Sequence, residues 1–400
     1  MSPKTYISTV FDDTSRIVAD LLDDAMQNAG SEALGLLFCD SRIDCEAVLR
    51  DVQAKLPFPV TGGTTMTFPF VHPSGEDISA GLTVLRKEGM KAAIVLSEPL
   101  DAGRHREQMD AVYEACRARL GEDPKMLLPL FPLMPSLPTG FFIEDLFALA
   151  GDVPVFGGVT TNDLISTRAG VFAEGRTASD RMVLVVLGGP VCPVFSTANL
   201  VSPMVEYAPL VTRAEGNEVY RVDESSFCDY MRTVGISPED RVNGVDALMQ
   251  YGPTPVLVQT PGGKDNDVPD VRCISFTNME QGSAFFSGPV PEGARLRMSI
   301  LRKQDVESSV RDCLAKLDAR MDPARKEGYE YSALLCVTCV ARYFAFVGGA
   351  NVEGEILSRE TPRGLAATGL YAFAEIGPAY GPDGKGHNRS HSASIAMCAI

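Results

Sequence analysis

Unbroken apolar runs along the chain alternate with segments in which apolar positions recur every three or four residues. "EALGLLFCD" (32–40) is a run of the first kind and "CEAVLRDVQAKL" (45–56) one of the second. This predicts a strand buried on both faces followed by an amphipathic helix. "KMLLPLFPLM" (125–134) and "FFIEDLFALA" (141–150) repeat that pair. A glycine pair follows each time: "FPVTGGTT" (58–65) aligns with "VPVFGGVTT" (153–161), matching Pro59 with Pro154, Gly62 with Gly157 and Gly63 with Gly158. Beyond it, "AGLTVLRKEGMKAAIVL" (80–96) and "AGVFAEGRTASDRMVLVVL" (169–187) each read as a β-hairpin. The repeated unit is therefore strand, helix, strand, hairpin, over about 30–100 and 101–200.

A fainter third copy occupies the C-terminus, with "YSALLCVTCV" as first strand and "GLAATGLYAFAEI" and "SHSASIAMCAI" as later ones. Strands alternating with helices predict an α/β fold with mixed sheets, flanking helices and two lobes. A strand and helix start near "VYRVDESSFCDY" put the boundary near residue 225, giving an N-terminal domain of 1–225 and a C-terminal one of 226–400.

Composition narrows the function. At 45% hydrophobic and 22% charged the chain is globular, and a formal charge of −16 with no basic stripe opposes nucleic acid and anionic membrane surfaces. No uncharged apolar run approaches the roughly 18 residues of a spanning helix, and the N-terminus has no leader pattern, so a cytoplasmic protein is expected. The ten cysteines, diluted in apolar segments, are expected to be reduced and metal-free. Cys336 and Cys339 form a CxxC, but residues three apart on a strand face opposite ways. Nucleophile elbows, phosphate loops, zinc motifs and dinucleotide fingerprints are all missing, so no cofactor is implied. Prolines 129, 132, 135 and 138 recur at the polyproline period, suiting either a docking ligand or a buried wall.

Chemistry concentrates at the C-terminus. Arg342 closes one apolar strand, Glu375 closes another, and "HNRSHS" leads into the last. Arg342 and Glu375 at neighbouring strand ends would hold the carboxylate and ammonium of an amino acid, or else pair with each other as a salt bridge. His387, Asn388 and His391 would line the rim, with no third ligand for a metal. Gly62, Gly63, Gly157 and Gly158 would either offer backbone N–H groups to an anion or allow tight strand exits.

"PVTGGTT", "PVFGGVTTND" and "AGVFAEGRTASDRMVLVVLGGPV", with "PLVTRAEGNEVYRVDESSFCDYMRTVGI" as junction, resemble the N-terminal half of the FIST domain family. "GSAFFSGPVPEGARLRMSI", "SALLCVTCVAR", "TGLYAFAEIGP" and "HNRS" resemble its C-terminal half, in order, so that the likeness covers about residues 30–395. FIST domains are prokaryotic sensory modules also found in eukaryotic F-box proteins. The resemblance implies a small-molecule sensor with amino acids among the proposed ligands, Arg342, Glu375 and Asn388 at family-like positions, and output through a signalling partner protein. Two departures stand out: Gly62 where a cysteine is usual, and Asn388-Arg-Ser390 where Asn-x-Thr is usual. An enzyme using Glu375 as acid or base beside His387 or His391, and a protein-interaction scaffold built on the proline segment, are the competing expectations.

Overall fold

The apolar runs are strands held between a helix layer and a common core, in three copies of one unit. The computed structural model describes residues 4–22, 25, 33–134, 137–162, 169–238, 250–260, 267–345, 351–362 and 364–400. The first unit comprises β1 (Lys4–Ser8), α1 (Thr14–Leu22), β2 (Ala33–Asp40), α2 (Cys45–Lys55), β3 (Val60–Thr65) and β4 (Ala80–Arg86). The second repeats this order with β5 (Lys91–Leu96), α3 (His105–Leu120), β6 (Met126–Pro132), α4 (Thr139–Ala150) and β7 (Gly157–Thr160). After a small hairpin of β8 (Val171–Ala173) and β9 (Arg176–Ala178), it ends with β10 (Val183–Gly188).

The third unit opens with β11 (Val194–Ala198) and is interrupted by an inserted lobe, whose short strands β12 to β20 lie between Ser202 and Ile300 and whose helical segments include α5 (Phe227–Thr233). It resumes with α6 (Lys303–Lys326), β21 (Ala333–Cys339), the short α7 (Val340–Phe344), α8 (Val352–Glu360), β22 (Ala366–Tyr380), β23 (Gly386–His391) and β24 (Ile395–Ala399). The lobe carries two antiparallel sheets around its own core of residues such as Phe227, Tyr251, Phe286 and Met298.

Strand order is the same in each unit: β1-β4-β2-β3, β5-β10-β6-β7 and β11-β24-β21-β22. The first pairing in each is antiparallel, the second antiparallel and the third parallel across a helical crossover. β22 also pairs with β7, fusing the second and third units into one nine-stranded sheet, and β3 pairs with β8.

Side chains alternate between the two layers, as the strand period of two demands. Leu34, Leu36 and Phe38 on β2, Leu128 and Leu130 on β6, and Leu335 and Val337 on β21 enter a single central core. Their sequence neighbours Leu37, Leu127 and Leu334 face the helix pairs α1/α2, α3/α4 and α6/α8. A central void of about 10 Å³, bounded by Leu36, Leu128, Leu335, Gly157 and Gly369, has room for a water molecule at most.

Three expectations need correction. The glycines of the paired motifs are not at strand exits but inside β3 and β7, where parallel neighbours come close. A Cβ at Gly62, whose φ is +149°, would stand 1.8 Å from Leu37 O, and one at Gly157 would stand 2.0 Å from Pro129 O. Gly369 occupies the same place in the third unit, 1.9 Å from Cys336 O. Protein fills these spaces and those beside Gly63 and Gly158, whose added Cβ atoms would lie within 3 Å of Gly170 O and Ala374 O. All four glycines therefore serve strand packing, with no room for an anion.

The first hairpin is also not one: β4 pairs with β1 and β2, while β5 crosses to β10, so each unit takes its edge strand from the segment before its first helix. The proline segment, finally, opens as the fully buried β6, which contains Pro129 and Pro132 and so offers no docking ligand there; Pro135 lies outside the described residues.

Candidate functional site

The Arg342 side chain is not at a cleft. It begins the turn after β21 in α7 and is completely buried, the largest fully buried side chain among the described residues. Its partner is Glu353 on α8, at 2.7 Å, and not Glu375. Its remaining donors reach Ser309 Oγ at 2.9 Å and Ala393 O at 3.2 Å. Glu353 in turn accepts from Thr338 Oγ1 and Tyr371 Oη, both at 2.9 Å. Burial and the neighbouring Glu353 hold the Tyr371 phenol well above its ordinary value. The expected Arg342–Glu375 clamp, and the expected salt bridge between the two, are both replaced by this structural network.

The network also ties units together. Asn351 caps α8 through Gly354 N and reaches Phe68 O of the first unit at 2.7 Å. Thr64 Oγ1 donates to Thr161 O at 2.8 Å and Thr161 Oγ1 to Tyr371 O at 2.6 Å, so the last strand in each unit's order is stitched to the next.

Glu375 sits midway along β22, opposite Gly158 on one side and His391 on the other. It is fully buried, with Oε2 accepting from Ser394 N at 3.2 Å and Ser394 Oγ at 2.7 Å, and Oε1 has no hydrogen-bond partner among the described residues. Burial, and then the Cys339 thiol beside it, push the carboxyl well above the usual carboxylate range and favour its neutral form. Over this end of the third unit lies the inserted lobe. Val271, Cys273 and Leu301 from the lobe side meet Cys339, Ala341 and Ala393 in a small apolar seam.

The seam has a polar border. Asp270 pairs with both Arg272 and Arg389, the latter at 3.1 Å, and the buried Nε of Arg272 has no partner. Ser287 and Ser392 hydrogen-bond across it at 2.7 Å. His391 donates through Nε2 to Gly377 O at 2.9 Å, and burial lowers it to about 4, so it stays neutral near pH 7. His391 then has neither charge nor a free Nε2 with which to assist a base. Asn388 is committed to structure as well, clasping the chain ahead of β7 through Val155 N and Val153 O, each at 2.9 Å. His387 is half-buried on β23 opposite Ala379.

Of the expected residues, then, the fold brings together Glu375, His391 and Gly158, and separates Arg342 from them. Sequence reasoning missed Glu353, Ser394 and the Asp270–Arg272–Arg389 cluster. Glu353 had a signal: it lies on the same helical stripe as Val352, Ile356 and Leu357, where a carboxylate must find a buried partner. The lobe residues had none, because nothing local places residue 270 beside residue 389.

Among the described residues no group of three or more His, Cys, Asp and Glu side chains is placed to hold a metal, and no helix is long and apolar enough to cross a membrane. The ten cysteines are free thiols, all buried but Cys192. Solved structures similar to the chain include a cyanuric acid hydrolase from A. caulinodans, with 10% identity, 100% of this chain and 99% of that one covered, and a TM-score of 0.28. T. maritima PurL complexed with FGAR follows at 10% identity, 100% and 72% coverage and a TM-score of 0.19. Likenesses this weak carry nothing over. The chain matches none of the curated proteins. The FIST N domain matches residues 33–225 and the FIST C domain residues 231–378; the chain belongs to the FIST family, whose domains are sensory modules that bind small ligands in signal transduction.

Proposed function

We propose that this FIST protein senses a small polar metabolite at the seam between the inserted lobe and the third unit, and signals through a partner protein. An amino acid is the ligand class that suits the site best. The supporting observation is the Glu375 carboxyl, fully buried with one oxygen unpartnered. Leaving a buried acceptor unpaired costs about 1–3 kcal/mol, which a ligand ammonium would recover while restoring the carboxylate charge.

The cation for a ligand carboxylate is not Arg342 but the Arg389–Arg272 pair. Directly opposed residues of an antiparallel ladder share a face, so Glu375, His391, Gly377 and Arg389 point the same way. Arg389 stands two residues from His391, about 7 Å along the strand, an interval its own side chain can span. Because Glu375 is enclosed, a ligand enters only when the lobe lifts from the third unit, and that displacement is what a partner would detect. A cytoplasmic setting agrees with ten cysteines that form no disulfide.

A thermal-shift and calorimetric screen of the standard amino acids tests this. One of them should stabilise the protein, by about 2.7 kcal/mol at 100 times its Kd. Binding should be lost in Glu375→Gln and Arg389→Ala and kept in His387→Ala. Mass spectrometry should return the ligand unchanged; a converted ligand would instead favour the acid–base reading of Glu375. Affinity unaltered in both site variants would sink the proposed location.

A further inference from the structure

We infer that Cys273 and Cys339 form a redox-active dithiol that closes to a disulfide across the seam. They come from separate parts of the fold. Cys273 stands between β17 (Val271–Arg272) and β18 (Ile274–Asn278) of the inserted lobe, and Cys339 ends β21 of the third unit. The two side chains share the small apolar seam cluster with Val271, Leu301, Ala341 and Ala393, and neither is in a disulfide.

The chemistry needs a two-electron oxidant of the hydroperoxide class, admitted when the lobe lifts from the third unit. Cys273 is the more exposed of the two, at 7% against 2%. That greater exposure makes Cys273 the sulfur that reacts first. Its thiolate attacks the peroxide, the O–O bond breaks, an alkoxide leaves to take up a proton, and a sulfenic acid remains. The Cys339 sulfur then attacks the Cys273 sulfur and the S–O bond breaks. Hydroxide departs as water with the Cys339 proton. Two thiols lose two electrons and two protons; the hydroperoxide becomes an alcohol and water.

The bond would fasten the lobe over Glu375 and remove the thiol beside that carboxyl. A second cysteine pair, Cys39 with Cys45, lies wholly inside the first unit, where Cys45 already donates toward Asp40 O and Ile43 O at 3.4 and 3.5 Å. A bridge there would join a strand only to the helix that follows it. The seam dithiol does not depend on the ligand reading, and its test uses no ligand.

The full chain carrying Cys192→Ser, which removes the exposed thiol, is treated while folded with tert-butyl hydroperoxide, then denatured, alkylated and mapped by peptide mass spectrometry. Free thiols should fall from nine to seven, with a peptide linking 273 to 339, and return to nine on reduction. Adding Cys273→Ser should abolish the cross-link. Nine thiols persisting after treatment, thiol loss without the 273–339 peptide, or a cross-link at Cys39–Cys45 in its place would each overturn the inference.

Discussion

Replacing Arg342 by alanine separates its observed role from the one its sequence position suggested. The substitution leaves the Glu353 carboxylate buried, with Thr338 and Tyr371 as its remaining hydroxyl donors, and strips Ser309 and Ala393 O of a guanidinium donor. Removing one member of a buried, hydrogen-bonded ion pair costs about 3–5 kcal/mol, because the surviving charge keeps its desolvation penalty and loses its compensation. Arg342→Lys should recover part of this, since an ammonium can reach Glu353 but cannot also serve Ser309 and Ala393 in the fork geometry of guanidinium.

Glu353→Leu alone should cost a similar amount for the mirror-image reason. The double variant Arg342→Met with Glu353→Leu should cost far less than the sum, since an apolar pair of similar volume carries no buried charge. Equilibrium unfolding in urea of the parent, Arg342→Met, Glu353→Leu and the double variant measures this directly, with Arg342→Ala and Arg342→Lys run alongside. If Arg342→Ala lay within about 0.5 kcal/mol of the parent, the range of unremarkable surface changes, and lost ligand affinity instead, the keystone role would be refuted and the clamp restored.

Glu375 should leave a pH signature. Its folded value is raised, so the native state holds its proton more tightly; this part of stability is present at low pH and declines as pH rises from about 4.5 toward the folded value. The stability of Glu375→Gln relative to the parent should therefore grow over that window, and a pH-independent difference would contradict it. His391 runs the other way. Lowered to about 4 from 6.5, it favours the native state fully above pH 6.5, and about 3 kcal/mol is lost as pH falls through 4. His391→Gln should remove that slope in urea titrations between pH 4 and 7, and retention of the slope would assign it to other groups. Gly369→Ala, with its Cβ 1.9 Å from Cys336 O, should cost at least the 1–3 kcal/mol of an overpacked core, whereas Gly140→Ala, which meets nothing within 4 Å, should be nearly neutral in the same assay.

The local elements were legible because each follows from a short period in the sequence. "EALGLLFCD" and "YSALLCVTCV" read as doubly buried strands, and β2 and β21 are buried throughout. The glycine match likewise located two equivalent strands, although their exclusion of a Cβ comes from parallel partners that only the assembled sheet supplies. What could not be read was pairing at a distance. β4 and β5 are joined by a few residues, and nothing between them announces that they enter different sheets. Arg342 and Glu375 are neighbours by strand order, yet the turn of α7 swings the guanidinium toward α8 and away from β22. A strand-end charge is visible in sequence, but the direction in which it leaves the strand is set by the first residues of the following turn.

The threefold repetition shows why one strand end deserves a functional test and the others do not. Taking the register from Gly62, Gly157 and Gly369, the last residue of each first strand is Asp40, Pro132 and Cys339. Asp40 N and Cys339 N each donate to a serine carbonyl, Ser79 O and Ser394 O, at the start of the returning strand, whereas proline has no N–H to give. The second unit therefore lacks this bond, and the residue paired with Pro132 is the uncharged Thr160. In the first unit the buried carboxylate of Asp40 accepts from Nε and Nη2 of Arg42, at 2.9 and 2.7 Å, which satisfies it without outside help. In the third unit Cys339 takes the place of Asp40, and the buried carboxyl beside it is Glu375 of β22, which has Ser394 but no cation among the described residues and lies under the inserted lobe. A buried acid with no cation beside it, beneath a separate cover, is the position where a ligand would supply the missing charge.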